Sequence, residues 1–281
     1  MHVRTPDIRP DQGLLVWSRV PEFALAYNSY SVVIPHVEYY LNGVMNQVRK
    51  TLGPEHAQLE HELGLFIRQE AQHARFHKLF NQRMYEAGHA GLQPLVEELV
   101  ADLGKLRATR SLAFNVAYCA GFECIATFDS RYIHERCDDF FEDADPHGAN
   151  LLLWHVAEEF EHRAVCHHAF QAVSGSYATR IHGLIYAFWH VGGAFLRAER
   201  LVLEQFGRDL TESERAVSVR RSKRLFWRQL TYVAPRMLRI LLPWNDPAKL
   251  PVPARISAAL DFFRSSGPIV NRFEPAPAGP G

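Results

Sequence analysis

The sequence contains little cysteine and has no closely spaced cysteine pair. Its four cysteines, Cys119, Cys124, Cys137 and Cys166, show no C-x-x-C spacing and sit inside helical patterns. A zinc ribbon needs paired cysteines, and a disulfide framework is typical of small secreted chains. The pattern argues against both, and we expect reduced thiols in a cytoplasmic protein.

The chain also lacks an excess of charge, a long apolar run and a signal sequence. Its 31 basic and 31 acidic residues cancel, which argues against a nucleic-acid partner held mainly by charge. The most apolar run, Ile181–Leu196, carries two histidines and is too short and too polar for a confident membrane span. Met1–Pro10 is polar and contains proline, so no signal peptide is expected.

Helical periodicity dominates the rest of the chain, with no convincing period-two strand and no internal repeat. At 281 residues and 47% apolar composition, the chain can bury a sizeable core in one large domain or two small ones. We predict an all-α fold with helices over about residues 31–51, 54–87, 92–106, 111–136, 150–173, 178–206, 211–230 and 256–265. Thr211–Glu214 has the Thr-x-x-Glu form of a helix-capping box.

The predicted helices are grouped into four parts of the chain. We expect an irregular arm over 1–29, a four-helix bundle over 30–177, helices packed on it over 178–266, and a disordered tail over 267–281. Pro35 is expected in the first turn of the first helix or at a kink.

Two stretches of the helical pattern combine glutamate and histidine at metal-binding spacing. EAQH places Glu70 and His73 three residues apart, and HVAEEFEH places His155, Glu159 and His162 at offsets of four and three. On a helix, these offsets put the side chains on one face. A carboxylate-bridged site for two metal ions takes one Glu-x-x-His from each of two helices and one glutamate from each of two others.

The two remaining helices each offer one glutamate in apolar surroundings. Glu38 lies in IPHVEYYLN, and Glu123 lies in YCAGFECIATF. Burying a lone carboxylate is costly unless a positive partner meets it, and a metal ion supplies that partner. The spacings of 32, 53 and 36 residues between successive glutamates suit two helical hairpins joined by a long crossover. The predicted metal ligands are Glu38, Glu70, His73, Glu123, His155, Glu159 and His162.

The prediction depends on the combination, because a single Glu-x-x-His on a helix is more often a solvated pair. His155 shares the face of Glu159 and His162 and is therefore counted as a ligand. His77 follows His73 by one turn and is predicted to be a hydrogen-bond partner or surface residue.

Other polar residues near the motifs are given supporting roles. Glu158 and Glu161 fall off the ligand face, and we expect them to hydrogen-bond the ligating histidines or the partner helix. His167 and His168 are expected in the wall of the site or as outer hydrogen-bond partners.

The order of these motifs resembles the ferritin-like di-iron carboxylate superfamily over about residues 30–175. More narrowly, the chain is similar to the bacterial family of predicted metal-dependent hydrolases, through Pro35-x-x-Glu38, RQEAQH, WHVAEEFEH and Pro243-Trp244. The third histidine of the second motif resembles the arrangement in p-aminobenzoate N-oxygenases, where an added histidine joins one iron. The resemblance implies a ferritin-like four-helix bundle with additional C-terminal helices. Asn245 departs from the histidine that the family resemblance leads us to expect.

Two reactions suit a site of this kind. Carboxylate-rich iron pairs activate O₂, whereas a hydrolytic pair uses a metal-bound hydroxide. The ligands lie mid-helix among aromatic residues, and a dry, apolar pocket favours oxidation of an apolar small molecule. The sequence therefore predicts a di-iron or Mn/Fe oxidase or oxygenase that uses O₂ and an electron donor. A metal-dependent hydrolase and a non-catalytic ferritin-like iron-binding protein are the alternatives.

Two C-terminal segments have two interpretations each. Ile181–Leu196 is expected to pack on the bundle, and lining a substrate tunnel is the alternative. The basic segment Arg215–Arg239 is expected to form a solvated amphipathic face, with docking to an anionic membrane surface as the minority alternative. We expect a homodimer.

Overall fold

The computed structural model describes residues 1–264, and these residues form helices but no strand. The predicted all-α class is therefore confirmed. The helices, in chain order, are α1 (Pro21–Arg49), α2 (Ala57–Glu86), α3 (Gln93–Thr109), α4 (Leu112–Arg136), α5 (Pro146–His162), α6 (Val165–Val173), α7 (Tyr177–Phe206), α8 (Glu212–Met237) and α9 (Ala254–Phe262). The tail predicted over 267–281 lies outside the described residues.

Side-chain caps mark the start of several helices. At the start of α5, the carboxylate of Asp145 accepts a hydrogen bond from the backbone N–H of His147, and Pro146 occupies the first turn, where its missing N–H costs nothing. The capping box predicted for α8 is confirmed. The Thr211 hydroxyl accepts from the backbone N–H of Glu214, whose carboxylate accepts from the backbone N–H of Thr211.

The predicted bounds of α1 and α8 were wrong because both helices contain an interior proline. α1 begins at Pro21 and not near residue 31, so Pro35 lies well inside it. α8 continues to Met237, past the predicted end near residue 230, and includes Pro235. Proline inside a helix removes one backbone hydrogen bond, which is why the prediction placed helix ends there. Tertiary packing overrides this local preference.

The single helix predicted over 150–173 is also wrong in detail. A turn at Arg163 and Ala164 divides it into α5 and α6, directly after the predicted ligand His162. Neither residue is a helix breaker by type, so the local sequence carries no signal for this turn.

Helices α1, α2, α4, α5 and α6 enclose a common core. α1 packs along α2, and α4 packs along α5 and α6, while α1 also meets α4 and α2 meets α5 and α6. The largest fully buried side chains include Phe66, Phe80, Tyr118, Trp154 and Phe160. Four of these helices, α1, α2, α4 and α5, therefore face one another across the core. The specifically ferritin-like arrangement stays a prediction.

The remaining helices cover this core from outside. α7 packs against α1 and α4 through Leu184, Ala187, Val191 and Ala194, and it leaves Phe188 and Trp189 exposed. α9 packs against α5. All four cysteines are free and buried. No helix within residues 1–264 combines the length and the hydropathy needed to cross a bilayer.

Candidate metal centre

Four helices bring the seven predicted ligands together in the core. The ligands come from α1 (Glu38), α2 (Glu70 and His73), α4 (Glu123) and α5 (His155, Glu159 and His162). All seven side chains are buried, and the most exposed of them, His155, is only 4% exposed. The three- and four-residue offsets on α2 and α5 place these side chains on the inward face of each helix.

The first donor group consists of Glu38, His73, His155 and Glu159, with one ligand atom of each within 4.8 Å of the others. Nε2 of His155 lies 2.7 Å from Oε1 of Glu159 and 3.5 Å from Oε1 of Glu38. Nδ1 of His73 lies 3.5 Å from Oε1 of Glu159. Two imidazole nitrogens and two carboxylates at this spacing can surround one transition-metal ion.

The second donor group consists of Glu70, Glu123, Glu159 and His162, which meet the same 4.8 Å limit. Nδ1 of His162 lies 2.8 Å from Oε1 of Glu70, 3.7 Å from Oε2 of Glu159 and 3.8 Å from Oε2 of Glu123. Glu159 thus belongs to both groups, with Oε1 in the first and Oε2 in the second. A carboxylate in this position can bridge two ions.

Most of these donor atoms make no hydrogen bond to any described residue. Both carboxylate oxygens of Glu38, Glu70 and Glu123 are buried without a hydrogen-bond partner, and so is Nδ1 of His73 and of His162. A buried polar group left unpaired costs about 1–3 kcal/mol, so natural cores contain few of them. Their convergence on two points fits a site in which metal ions are the missing partners.

The charges of the carboxylates lead to the same conclusion. Burial, followed by the charge of Glu70, raises the pKa of Glu38 well above its ordinary value. Burial, followed by the charge of Glu159, raises the pKa of Glu123 in the same way. Burial also acts to raise the pKa of Glu159, but the imidazoles of His155, His162 and His73 beside it outweigh burial and hold that pKa well below the ordinary value. These carboxylates repel one another unless cations lie between them.

Hydrogen bonds on the outer side orient His73 and His162. Nε2 of His73 lies 2.9 Å from Oε2 of Glu158, and Nε2 of His162 lies 3.2 Å from Oε1 of Gln69. Because a carboxylate and an amide oxygen accept hydrogen bonds, each ring donates from Nε2 and keeps Nδ1 free for an ion. Glu158 thus hydrogen-bonds a histidine of the site, which is the role that the sequence led us to expect.

His155 is oriented by a chain of hydrogen bonds that starts at Asn81. Asn81 donates to the backbone carbonyl of Ser31 and accepts from the Ser31 hydroxyl, whose oxygen then accepts from Nδ1 of His77 at 2.7 Å. Nε2 of His77 therefore accepts from Nδ1 of His155, also at 2.7 Å, which leaves Nε2 of His155 unprotonated toward Glu159. His77 lies outside both donor groups and hydrogen-bonds to Ser31 and His155.

Aromatic rings form the wall beside both donor groups. The ring of Trp154 lies 4.9 Å from that of His73, and the ring of Phe66 lies 4.7 Å from that of His162, both edge to face. His167, on α6, lies outside the donor groups, where burial lowers its pKa to about 4. The half-exposed His168 lies outside them as well.

Four residues that hold the site escaped the sequence-based prediction. Gln69 precedes His73 by four residues and so shares its helix face, which is a signal that could have been used. Ser31 stands at the predicted start of the first helix and Asn81 follows His77 by four residues, but short polar side chains of this kind are common on helices. Arg4, which binds Glu158, lies in a segment without any periodicity.

The fold and the two donor groups define an all-α protein with a buried glutamate–histidine metal site. The chain belongs to the predicted metal-dependent hydrolase family, whose model matches residues 2–250 and thus nearly the whole chain. No curated protein and no solved structure matches it. Membership of the narrower family is therefore confirmed, whereas the wider ferritin-like relationship stays a prediction.

Proposed function

We propose that this protein is a metal-dependent hydrolase whose two buried donor groups, which share Glu159, would hold two divalent ions. The observation that carries the proposal is the division of the buried donors into two groups that share this one carboxylate. The four carboxylates of Glu38, Glu70, Glu123 and Glu159 match the charge of two divalent ions, so the loaded site would carry no uncompensated charge. Family membership supports hydrolysis over the oxygen activation that the sequence alone placed first.

Bound ions would supply Lewis acidity, which polarises a carbonyl or phosphoryl oxygen and lowers the pKa of water. The chain supplies fixed positions for the donors. Glu158 and Gln69 hold the rings of His73 and His162 so that their Nδ1 atoms point inward. The fully buried, apolar ring of Trp154 packs edge to face against His73 on one side of the site. We therefore expect a substrate with a hydrolysable acyl or phosphoryl group attached to an apolar portion.

Oxygen activation by an iron pair, or by manganese with iron, is the second candidate. The observation that favours it is the carboxylate-rich donor set, which comes from mid-helix positions and lies against aromatic rings. An enzyme of this kind would oxidise an apolar small molecule with O₂ and an external electron donor.

Cleavage assays with and without oxygen distinguish the two candidates. Protein loaded with Zn²⁺, or with Fe²⁺ under anaerobic conditions, is tested on a p-nitrophenyl ester and on bis(p-nitrophenyl) phosphate. We expect cleavage of at least one substrate at the same rate with and without O₂. Glu159→Gln should abolish cleavage, whereas Glu97→Gln, which alters an exposed glutamate on α3, should leave it unchanged.

Oxygen consumption without cleavage would contradict the hydrolase proposal. If the Fe²⁺ form consumes O₂ and develops near-ultraviolet absorption while neither substrate is cleaved, the hydrolase proposal is wrong. Oxygen activation then becomes the function that the site supports.

A further inference from the structure

Arg4 lies in the arm before α1, yet its guanidinium is buried inside the molecule. The residue is 3% exposed. Its Nη1 donates to Oε1 of Glu158 at 2.9 Å and to Oε2 of Glu161 at 2.7 Å, and Nη2 donates to Oε1 of Glu161 at 3.2 Å. Nε donates to the backbone carbonyl of Leu260 on α9 at 3.2 Å. One side chain thus joins the arm to α5 and α9.

The first branch of this network runs through Glu158 to the first donor group. Oε1 of Glu158 accepts from Arg4, and Oε2 accepts from Nε2 of His73 at 2.9 Å. The side chains of Arg4, Glu158 and His73 are each at most 1% exposed, so salt screens their interactions little. Burial acts to raise the pKa of Glu158, but the hydrogen bonds from His73 and Arg4 outweigh it and lower that pKa.

The second branch runs through Glu161 and Gln69 to the second donor group. Oε2 of Glu161 accepts from Arg4 and from Nε2 of Gln69, the latter at 3.0 Å. With its amide nitrogen held in this way, Gln69 turns Oε1 toward Nε2 of His162, at 3.2 Å. Gln69 also donates to the backbone carbonyl of His2 in the arm at 3.1 Å. One residue, Glu158, therefore separates Arg4 from His73, and two residues, Glu161 and Gln69, separate it from His162.

We propose that Arg4 is a positioning residue for both donor groups, acting through Glu158 on His73 and through Glu161 and Gln69 on His162. It touches neither donor group itself. The planar guanidinium can serve two carboxylates and a carbonyl at once, which the single ammonium of lysine does less well. The arm, which the sequence suggested was irregular, thereby forms part of the metal centre.

A purely structural anchor would also be buried and paired, so stability alone does not test the proposal. Losing an anchor lowers the free energy of unfolding and leaves the metal affinity of the folded protein unchanged. Losing a positioning residue weakens metal binding even where the protein is fully folded, because the imidazoles are no longer held in the binding orientation.

The experiment is a Zn²⁺ titration by calorimetry, at a temperature where circular dichroism shows every variant to be folded. Arg4→Met should raise the dissociation constants of both ions by about 10- to 100-fold. Arg4→Lys keeps the charge and should lie between this variant and the wild type. Arg9→Met is the matched control, since Arg9 belongs to the same arm and its side chain is 58% exposed.

A second variant tests the two branches separately. Gln69→Met breaks the second branch, including the bonds of Gln69 to Glu161 and to the His2 carbonyl, and leaves the first branch through Glu158 intact, so only the second donor group should lose affinity. Adding Arg4→Met to Gln69→Met should then weaken the second group no further, while it still weakens the first. Independent, additive losses at the second group would contradict the proposed route through Gln69.

Unchanged dissociation constants in Arg4→Met would overturn the proposal. If that variant does not fold, unchanged constants in Arg4→Lys would do the same, and so would an equal loss in Arg9→Met. The titration measures binding and not turnover. A wild-type protein that binds Zn²⁺ but hydrolyses nothing would therefore refute the proposed function without affecting this inference.

Discussion

Three imidazoles reach the metal centre, and hydrogen bonds decide which nitrogen each one presents. His73 and His162 present Nδ1 because their Nε2 atoms are bonded to Glu158 and Gln69. His155 presents Nε2 because its Nδ1 donates to His77. The rings are therefore oriented before an ion arrives, and this preorganisation lowers the cost of binding.

At the residue scale, removing His155 should weaken metal binding more than removing His77. His155→Ala deletes a donor of the first group, whereas His77→Ala deletes only the partner that orients it. We expect His77→Ala to raise the dissociation constant at the first group by about 10- to 100-fold, and His155→Ala to raise it further. Zn²⁺ calorimetry measures both, with the exposed His61→Ala as control. A larger loss in His77→Ala would make His77 the ligand.

Metal binding should also release protons and strengthen as the pH rises. Burial, followed by the charges of neighbouring carboxylates, raises the pKa of Glu38 and of Glu123. Burial acts to lower the pKa of His73 and of His162, but surrounding carboxylates outweigh it and raise both. Raised pKa values mean that these groups hold their protons up to a higher pH than the same side chains do in water. Ligands bind metal in their deprotonated forms, so each bound proton competes with the ions.

The test of this pH dependence is calorimetry at one pH in two buffers with different heats of ionisation. We expect the apparent binding enthalpy to differ between the buffers, and the affinity to fall as the pH is lowered. Identical enthalpies in both buffers would show that the site is already deprotonated, contrary to the pKa directions.

At the scale of elements, the crossing of α4 and α7 requires glycine. A Cβ added to Gly183 would lie 2.5 Å from the carbonyl carbon of Ala117, and one added to Gly121 would lie 2.7 Å from Cα of Leu184. Backbone atoms cannot move aside as the end of a flexible side chain can. Gly121 lies two residues before the donor Glu123, so this crossing also fixes the position of that carboxylate.

Gly183→Ala should therefore destabilise the protein by about 1–3 kcal/mol, because the added methyl group overpacks the helix crossing. Gly192 on the same helix has no heavy atom within 4 Å of an added Cβ. Gly192→Ala should stabilise the protein by about 0.5–1 kcal/mol, since alanine loses less conformational entropy in a helix. Urea unfolding of both variants measures the difference. Similar free energies of unfolding for the two variants would show that the crossing tolerates a side chain.

The existence of most helices could be predicted, whereas some of their ends could not. The range predicted for α4, 111–136, differs from Leu112–Arg136 by one residue. The capping residue Ser111 marks the start of the helix, and the acidic loop that follows α4 marks its end. The turn at Arg163 and Ala164 gave no such signal, and the interior Pro35 obscured the early start of α1 at Pro21. Both depend on packing between helices, which local spacing does not encode.

At the scale of the whole molecule, the metal centre joins parts of the chain that are far apart in sequence. Its donors span residues 38–162, and Arg4 and the carbonyl of Leu260 meet behind α5. The donors could be predicted because Glu-x-x-His spacing is local and repeats on two helices. The contact of Arg4 with Glu158 spans 154 residues, and a single arginine in an aperiodic arm leaves no pattern to read.

The metal content of the purified protein tests the central claim most directly. Elemental analysis should find about two transition-metal ions per chain in the wild type, because the core contains two groups of donor side chains. Glu159 belongs to both donor groups, so Glu159→Ala should lose both ions, while Glu97→Ala, altered at an exposed site on α3, should keep them. A Glu159→Ala protein that remains helical and retains its full metal content would contradict the proposed centre.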